Sequence, residues 1–228
     1  MIGADFEAVW QCRIECFLGG KLGEAPDQGP RGTCLAHATT AAHEALVVSK
    51  RLSVEFLYWA AKQRDGAPCE DGTTPSALLS ALEEEGQPEE TVWPYDPDQD
   101  WLSPTYTPPA GDWQFFRRLG TVRAGDASDV IDFLNCGAIP VVGLKLTPDF
   151  LSSPRGAMDS KASGDPVLAY HGVAAVGHGR TETGESAVLI RNSWGIDWGH
   201  MGHGLLPASY LDSRLLCVLR LVDIEPMD

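Results

Sequence analysis

Four side chains of this 228-residue sequence have types and spacings that suit nucleophilic catalysis: Cys34, His171, Asn192 and Gln28. Cys34 follows a loop rich in glycine and proline, and apolar residues recur after it at helical spacing. With Thr33 as the N-cap, Cys34 would lie in the first helical turn. Unpaired N–H groups there stabilise a thiolate, so the sequence predicts a lowered thiol pKa.

A nucleophilic thiol also needs a base and a group that orients the base. His171 and Asn192 lie far downstream of Cys34 and supply both residue types. Gln28 precedes Cys34 by six residues, so its side-chain N–H can join the backbone N–H of Cys34 in a hole for a developing oxyanion. These residue types predict acyl transfer through a thioester.

Four blocks of the sequence have a recognisable pattern: residues 27–38 (DQGPRGTCLAHA), 69–78 (CEDGTTPSAL), 171–179 (HGVAAVGHG) and 191–199 (RNSWGIDWG). In these blocks, which occur in family order, the sequence resembles the papain-like, cathepsin-type cysteine proteases, in a branch of bacterial appearance without an evident pro-segment. The resemblance covers nearly the whole chain. It implies that Cys34 attacks, that His171 is the general base and acid, and that Asn192 orients the imidazole. It also implies that Gln28 lends an oxyanion N–H.

Four further residues are candidates for substrate binding: Gly72, Asp71, Trp194 and Trp198. Gly72 lies in a loop that pairs with the substrate backbone in this family, where a missing side chain permits close approach. Relatives usually have two glycines there, whereas Asp71 replaces the first, and its charge predicts a preference for basic side chains near the cut. Trp194 is expected to shield the imidazole–amide hydrogen bond from water. Trp198 is expected either to pack in the core or to form the leaving-group side of the cleft.

The composition limits the classes of function. The chain carries 17 Lys and Arg against 32 Asp and Glu, a formal net charge of −15 that disfavours nucleic acid and anionic lipid as partners. No apolar run approaches the roughly 20 residues of a membrane span, and the first residues do not resemble a signal peptide. The expected partner is a peptide or protein substrate, with no nucleic acid, no membrane and a monomer favoured.

The six cysteines favour thiols over a disulfide framework. Relatives often bond a cysteine three positions before the nucleophile to one near the substrate loop. Here Arg31 and Cys69 occupy these positions, so that bridge cannot form, which indicates a reducing compartment and a cytoplasmic location. His200 and His203 alone do not make a metal site, so no metal and no cofactor are predicted.

Apolar periodicity divides the chain into a helical half and a β half. Helices are expected from Cys34 to about residue 50, over residues 53–66 with Ser53 as cap, and over residues 76–86. Residues 87–112, rich in proline and aromatic side chains, are expected to form an irregular crossover. A short helix from Ser128 to Asn135 and a polar loop over residues 152–166 are also expected. Strands are predicted over residues 115–122, 138–146, 171–178, 186–192 and 203–207.

These elements predict an α+β, papain-like fold in one domain, residues 1–228. Approximately, residues 28–112 form a helical lobe and residues 113–228 form an antiparallel β-sheet or barrel lobe, with the active site in the cleft between them. Residues 1–27 are a lead-in that is shorter than the inhibitory pro-segment many relatives carry. Such a segment was either removed or never present.

Three functions remain to be weighed. The leading prediction is a cysteine endopeptidase that hydrolyses peptide bonds through a thioester at Cys34, with His171 as general base and acid. The same apparatus can instead transfer an acyl group to an amine or deamidate glutamine on a protein partner. The third is a catalytically inactive peptide-binding module, against which the presence of Gln28, Cys34, His171 and Asn192 argues.

Overall fold

The computed structural model describes residues 2–47, 50–67, 69–152 and 166–222. Three helices, α2 to α4, follow one another in the first half of the chain, whereas strands predominate in the second half. The elements are α1 (Ile2–Trp10), β1 (Arg13–Phe17), α2 (Cys34–Glu44), α3 (Val54–Lys62), α4 (Pro75–Glu84), β2 (Leu119–Arg123), α5 (Ala127–Asn135), β3 (Val141–Leu146), α6 (Pro148–Ser152), β4 (Ala169–Arg180), β5 (Ser186–Arg191), β6 (His203–Pro207), α7 (Ala208–Arg214) and β7 (Leu215–Val222).

Local sequence explains where the helices of the first half begin. The hydroxyl of Ser53 accepts from the N–H of Phe56 at 3.0 Å, so the predicted cap of α3 is confirmed. Thr74 caps α4 in the same way, and Pro75 follows at the first helical position, where no N–H is needed. Gly86, at φ +83°, ends the turn after α4.

The helix that starts at Cys34 is shorter than predicted, because it ends at Glu44 rather than near residue 50. The Glu44 carboxylate accepts from the N–H of Leu52 at 3.0 Å and pairs with Arg51 at 2.7 Å. These contacts require the chain to reverse direction after Glu44. The apolar periodicity gives no sign of this reversal, so the predicted helix was too long.

All strands join one antiparallel sheet in the order β2-β7-β3-β4-β5-β6, and β1 also pairs with β4. The antiparallel sheet is confirmed, but across the described ranges it stays open and does not close into a barrel. β4 is the longest strand. Its first half pairs with β3, its second half pairs with β1, and β5 lies along its other edge.

Both faces of the sheet are buried at its central strands, which explains the continuous apolar runs of β3, β4 and β5. One face packs against the helices of the first half, and α2 lies directly on β4. The other face packs against α5 and α7. Small residues on α2, among them Ala38, Ala41 and Ala42, permit this close approach.

Several boundaries differ from the predictions. β2 begins at Leu119 rather than residue 115, because Phe116 pairs only with Gln87 in an isolated bridge. β3 begins at Val141, after Pro140, which has no N–H to donate. Neither α7 nor β7 was predicted, and most of the predicted loop at 152–166 lies outside the described residues. Among the described residues, no helix combines the length and apolarity needed to cross a bilayer.

Candidate active site

Cys34 is the first residue of α2, and its thiol lies against the strand that carries His171. The N–H of Gly172 donates to Cys34 Sγ at 3.4 Å. Gly172 must lack a side chain, because a Cβ atom would lie 2.9 Å from the Cα atom of Leu35. This contact between helix and strand places the neighbour of His171 directly on the thiol.

Thr33 occupies the N-cap position of α2, but its side chain does not cap the helix. The hydroxyl of Thr33 instead lies 2.7 Å from the hydroxyl of Tyr95, which donates to the carbonyl of Gln28 at 2.8 Å. The N-terminal N–H groups of α2 therefore stay without a side-chain cap, next to the sulfur of Cys34.

Asn192 holds the ring of His171. The Nε2 atom of His171 lies 2.7 Å from Asn192 Oδ1, which also accepts from the N–H of Ser193 at 2.8 Å. Because an amide oxygen only accepts, Nε2 carries the proton of the neutral ring. Nδ1 is then the nitrogen that can take a proton.

An aromatic cluster surrounds this pair. The ring of Trp194 lies 4.6 Å from that of His171, between centroids. Phe150 is fully buried and contacts His171, Trp194 and Trp198, and it stacks on Trp198 at 5.3 Å. Trp194 therefore lies against the imidazole that Asn192 holds, and Trp198 is part of the same cluster.

The side chain of Gln28 is fixed at both ends of its amide. Its Oε1 accepts from the hydroxyl of Ser193 at 2.6 Å, and its Nε2 donates to the carbonyl of Arg31 at 2.7 Å. An amide nitrogen has two hydrogens, so one remains for another acceptor. The backbone N–H of Gln28 donates to the carbonyl of Ser193 at 2.8 Å, which joins the loop before Cys34 to the segment after Asn192.

Burial affects the two central groups in opposite directions. It raises the pKa of the Cys34 thiol, while N–H donors from Gly172 and the helix start offset part of this effect. Burial lowers the pKa of His171 to about 4, with the bond to Asn192 acting in the opposite direction. The lowered thiol pKa predicted from the sequence is therefore wrong in direction. Burial disfavours both charged forms, the thiolate of Cys34 and the imidazolium of His171.

Asp71 connects the substrate loop to the loop before Cys34. Its Oδ2 accepts from the N–H of Gly32 at 2.8 Å. Its Oδ1 accepts from the hydroxyl of Tyr58 at 3.0 Å and from the N–H of Gly72 at 2.9 Å. The same carboxylate contributes to the raised pKa of Cys34. The negative charge expected from the sequence is thus close to the nucleophile.

Gly72 has φ +93°, a conformation that favours glycine. Its N–H also lies 3.3 Å from the hydroxyl of Tyr58, and its carbonyl accepts from Lys62 Nζ at 3.1 Å. Both backbone groups expected to face the substrate are therefore engaged within the protein. A carbonyl oxygen can accept a second bond, whereas the N–H would have to be shared or released.

Arg31, which stands where relatives often have a cysteine, forms a buried ion pair with Glu55. Its guanidinium donates to both carboxylate oxygens, at 2.8 and 2.7 Å, and to the carbonyl of Asp96 at 2.6 Å. The ring of Tyr95 faces the guanidinium at 4.9 Å. All six cysteines are free.

The remaining histidines lie in packed surroundings. His37 is 4% exposed, and its ring packs against Tyr95 at 4.6 Å. Burial lowers the pKa of His37 to about 3. His200 and His203 pack against the ring of Phe6. Within the described ranges, no group of three or more His, Cys, Asp or Glu side chains is arranged to hold a metal ion.

Sequence reasoning missed three contributors to this arrangement. Ser193 fixes Gln28, and the signal for it was its place immediately after Asn192 in the RNSWG block. Phe150 and Lys62 had no such signal, because each acts through contacts that depend on the tertiary fold.

Comparison with known proteins defines the class of the chain. A family model described as "Papain family cysteine protease" matches residues 15–209. The chain therefore belongs to the papain family of cysteine proteases, a family of peptide-bond hydrolases.

Curated relatives agree with this assignment. A cathepsin L-like proteinase of Fasciola hepatica is 26% identical over 84% of this chain and 58% of its own length. Cysteine proteinase 3 of Entamoeba histolytica is 30% identical over 86% of this chain and 62% of its own length. The chain thus spans less than two thirds of the length of these relatives.

Solved structures share the fold. Xylellain, a cysteine protease from Xylella fastidiosa, superposes with a TM-score of 0.77 over 96% of this chain and 90% of that chain, at 21% identity. The Carica candamarcensis cysteine protease CMS1MS2, in complex with E-64, gives a TM-score of 0.67 over 90% of this chain and 94% of that chain, at 18% identity. The papain-like fold predicted from the sequence is confirmed.

Proposed function

We propose that this chain is a cysteine endopeptidase that cleaves peptide or protein substrates through a thioester at Cys34. The observation that carries the proposal is the junction of β4 with α2. There the N–H of Gly172 contacts Cys34 Sγ at 3.4 Å, while the adjacent His171 is held by Asn192 at 2.7 Å. A nucleophile, a base and an orienting amide then act on one substrate carbonyl.

In the first half of the reaction, Nδ1 of His171 takes the thiol proton as Cys34 Sγ attacks the carbonyl carbon. The backbone N–H of Cys34 and the remaining amide N–H of Gln28 donate to the oxyanion that develops. The imidazolium then protonates the leaving amine, the carbon–nitrogen bond breaks and a thioester remains.

In the second half, His171 takes a proton from water as the water attacks the thioester. The carboxylic acid product leaves, and the proton returns to the sulfur of Cys34. Because burial disfavours the charged forms of both groups, proton transfer is expected to accompany substrate binding rather than precede it.

We further propose that Asp71 favours a basic side chain near the scissile bond. Its carboxylate is exposed and already accepts three hydrogen bonds, which fix its position and leave room for one more. A peptide library with systematic substitution around the cut tests this. Faster cleavage with Lys or Arg at one position supports the proposal, and an Asp71→Asn variant should lose that gain. No gain at any position contradicts it.

The main test is a proteome digest in which cleavage sites are identified by mass spectrometry, with Cys34→Ala as the control. Cys34→Ala is expected to abolish turnover and to keep the folded circular-dichroism spectrum, because the thiol is the nucleophile and a small side chain fits its place. Turnover by Cys34→Ala at the wild-type rate would end the proposal.

The same experiment separates the alternatives. Products that gain 1 Da or an amine adduct without chain cleavage would identify a deamidase or acyl transferase. A wild-type protein that neither cleaves nor modifies peptides, and whose Cys34 does not react with an epoxide or chloromethyl ketone probe, would identify a peptide-binding module.

A further inference from the structure

We propose that Lys62 is a positioning residue for substrate binding, acting as an internal cation that sets the shape of the substrate loop. The substrate loop is defined here as residues 65–67 and 69–72, and it ends at Gly72. This inference rests on the proposed peptidase function, because it concerns the loop that would contact the substrate backbone.

Lys62 is the last residue of α3, and its ammonium group is at the centre of the loop that follows. Nζ donates to the carbonyls of Ala67 at 2.8 Å, Glu70 at 2.8 Å and Gly72 at 3.1 Å. It also pairs with the carboxylate of Asp65 at 2.7 Å. A lysine ammonium has three N–H donors and a compact charge, which suits several converging carbonyl oxygens.

This arrangement is almost completely removed from water. The side chains of Lys62 and Asp65 are 5% and 2% exposed, and the ring of Trp101 covers Nζ at 5.1 Å from its centroid. A buried charge is tolerated when it is paired and hydrogen-bonded, so the ammonium and the loop carbonyls depend on one another. Without the ammonium group, the three carbonyl oxygens would repel one another and would lose the donor that holds them together.

A second contact fixes the substrate loop. Asp71, one of its own residues, accepts from the N–H of Gly32 at 2.8 Å. No covalent bond adds to these contacts, since Cys69 is a free thiol and position 31 is an arginine. Helix α3 is therefore connected to the loop before Cys34 by these contacts: Lys62 binds the substrate loop, and Asp71 of that loop binds Gly32. Lys62 thereby sets where the backbone groups of Gly72 meet a substrate.

The test compares Lys62→Met with Arg64→Met. Methionine keeps the apolar stem of Lys62 under Trp101 but removes the donors. Arg64 lies two residues further along and is ion-paired with Glu84 and Glu85 away from the substrate loop, so its variant controls for loss of an ion pair. Lys62→Met is expected to raise KM for a peptide substrate about tenfold or more, as expected for the loss of charged hydrogen bonds, with a smaller change in kcat. Arg64→Met is expected to keep the wild-type KM.

A second measurement does not depend on turnover. Peptide mass spectrometry measures the rate at which Cys34 is alkylated by two reagents. Iodoacetamide is small and reacts without binding the substrate loop, whereas a peptidyl epoxide must bind that loop before it reacts. Lys62→Met should slow the epoxide about tenfold while changing the iodoacetamide rate less than about twofold. If wild-type protein cleaves no peptide, the proposed function fails, and this ratio still reports on the loop.

Equal KM values and equal labelling ratios for Lys62→Met and Arg64→Met would overturn the inference. If Lys62→Met does not fold, as judged by circular dichroism, Asp65→Asn replaces it, because that variant keeps the lysine and loses only its carboxylate partner. A KM rise of a few fold is then expected. A wild-type KM for Asp65→Asn would overturn the inference in that case.

Discussion

On the sheet side of the site, backbone pairing positions His171 and Asn192, whereas buried charges hold the loops on the helical side. His171 lies within β4, opposite Leu144 of β3, and Asn192 follows β5 directly. On the helical side, Gln28 and Gly72 lie in loops, and their neighbours Arg31 and Lys62 are both buried cations.

The two means of support respond differently to substitution. A strand buried on both faces is held by many apolar contacts and ladder hydrogen bonds, so one shortened side chain removes a small part of the total. A buried ion pair concentrates its support in two groups, and removing one leaves the other charged and without a partner. The helical side should therefore be the more fragile one.

The largest expected effect concerns the sheet side and its chemistry. His171→Ala should lower kcat/KM by about 10²–10⁴-fold, because it removes the general base and acid. Asn192→Ala should cost less, about tenfold to a hundredfold, since β4 still positions the ring and the imidazole loses only one hydrogen bond. Steady-state kinetics on one peptide substrate gives both values. An equal loss in the two variants would mean that the sheet alone does not position the imidazole.

The next effect tests the fragility of the helical side. Glu55→Gln keeps the shape of a side chain that is fully buried but leaves the Arg31 guanidinium without its counter-charge. The free energy of unfolding should fall by about 3–5 kcal/mol, as for other broken buried pairs. Urea unfolding measures it. The matched change on the sheet side is Ile190→Val, which should cost about 0.5–1.5 kcal/mol.

A double variant shows whether the stability lost in Glu55→Gln comes from the unpaired charge of Arg31 or from lost contacts. Arg31→Met with Glu55→Gln removes the unpaired cation, so it should recover part of the stability that Glu55→Gln alone loses. If Ile190→Val costs as much as Glu55→Gln, the contrast between the two sides does not hold.

The difference between the sheet side and the helical side also explains which features of the site could be predicted from the sequence. Continuous apolar runs predicted the strands around His171 and Asn192, because burial on both faces leaves a clear pattern. The start of α2 at Cys34 was also predicted, since a glycine-rich loop and helical periodicity meet there. These are properties of neighbouring residues in the chain.

The missed features depend on residues that are distant in the chain. Lys62 at a helix C-terminus is locally typical of a solvated residue that interacts with the helix dipole. Only the return of the following loop over it makes it buried. In the same way, no periodicity shows that Glu55, on the first turn of α3, pairs with Arg31. The length of α2 was misjudged because the side chain of Glu44 bonds to Leu52 across a fold in the chain.

The last effect concerns stability in acid, to which both sides contribute. Burial lowers the pKa of His43 on the helical side and of His171 and His203 on the sheet side to about 4. The unfolded chain binds a proton at each position near pH 6.5, and the folded protein does so only near pH 4. The free energy of unfolding should therefore fall as the pH drops from about 6.5 to about 4, by roughly 1.4 kcal/mol per histidine for each pH unit.

His43→Gln isolates the contribution of His43, which lies away from the catalytic pair and contacts Gln87 at 3.0 Å. The variant should bind one proton fewer on unfolding, so the slope of its unfolding free energy against pH should decrease by about 1.4 kcal/mol per pH unit near pH 5. Urea unfolding at several pH values measures the slope. A slope equal to that of the wild type would show that His43 titrates normally in the folded protein. The acid sensitivity would then belong to the other buried histidines.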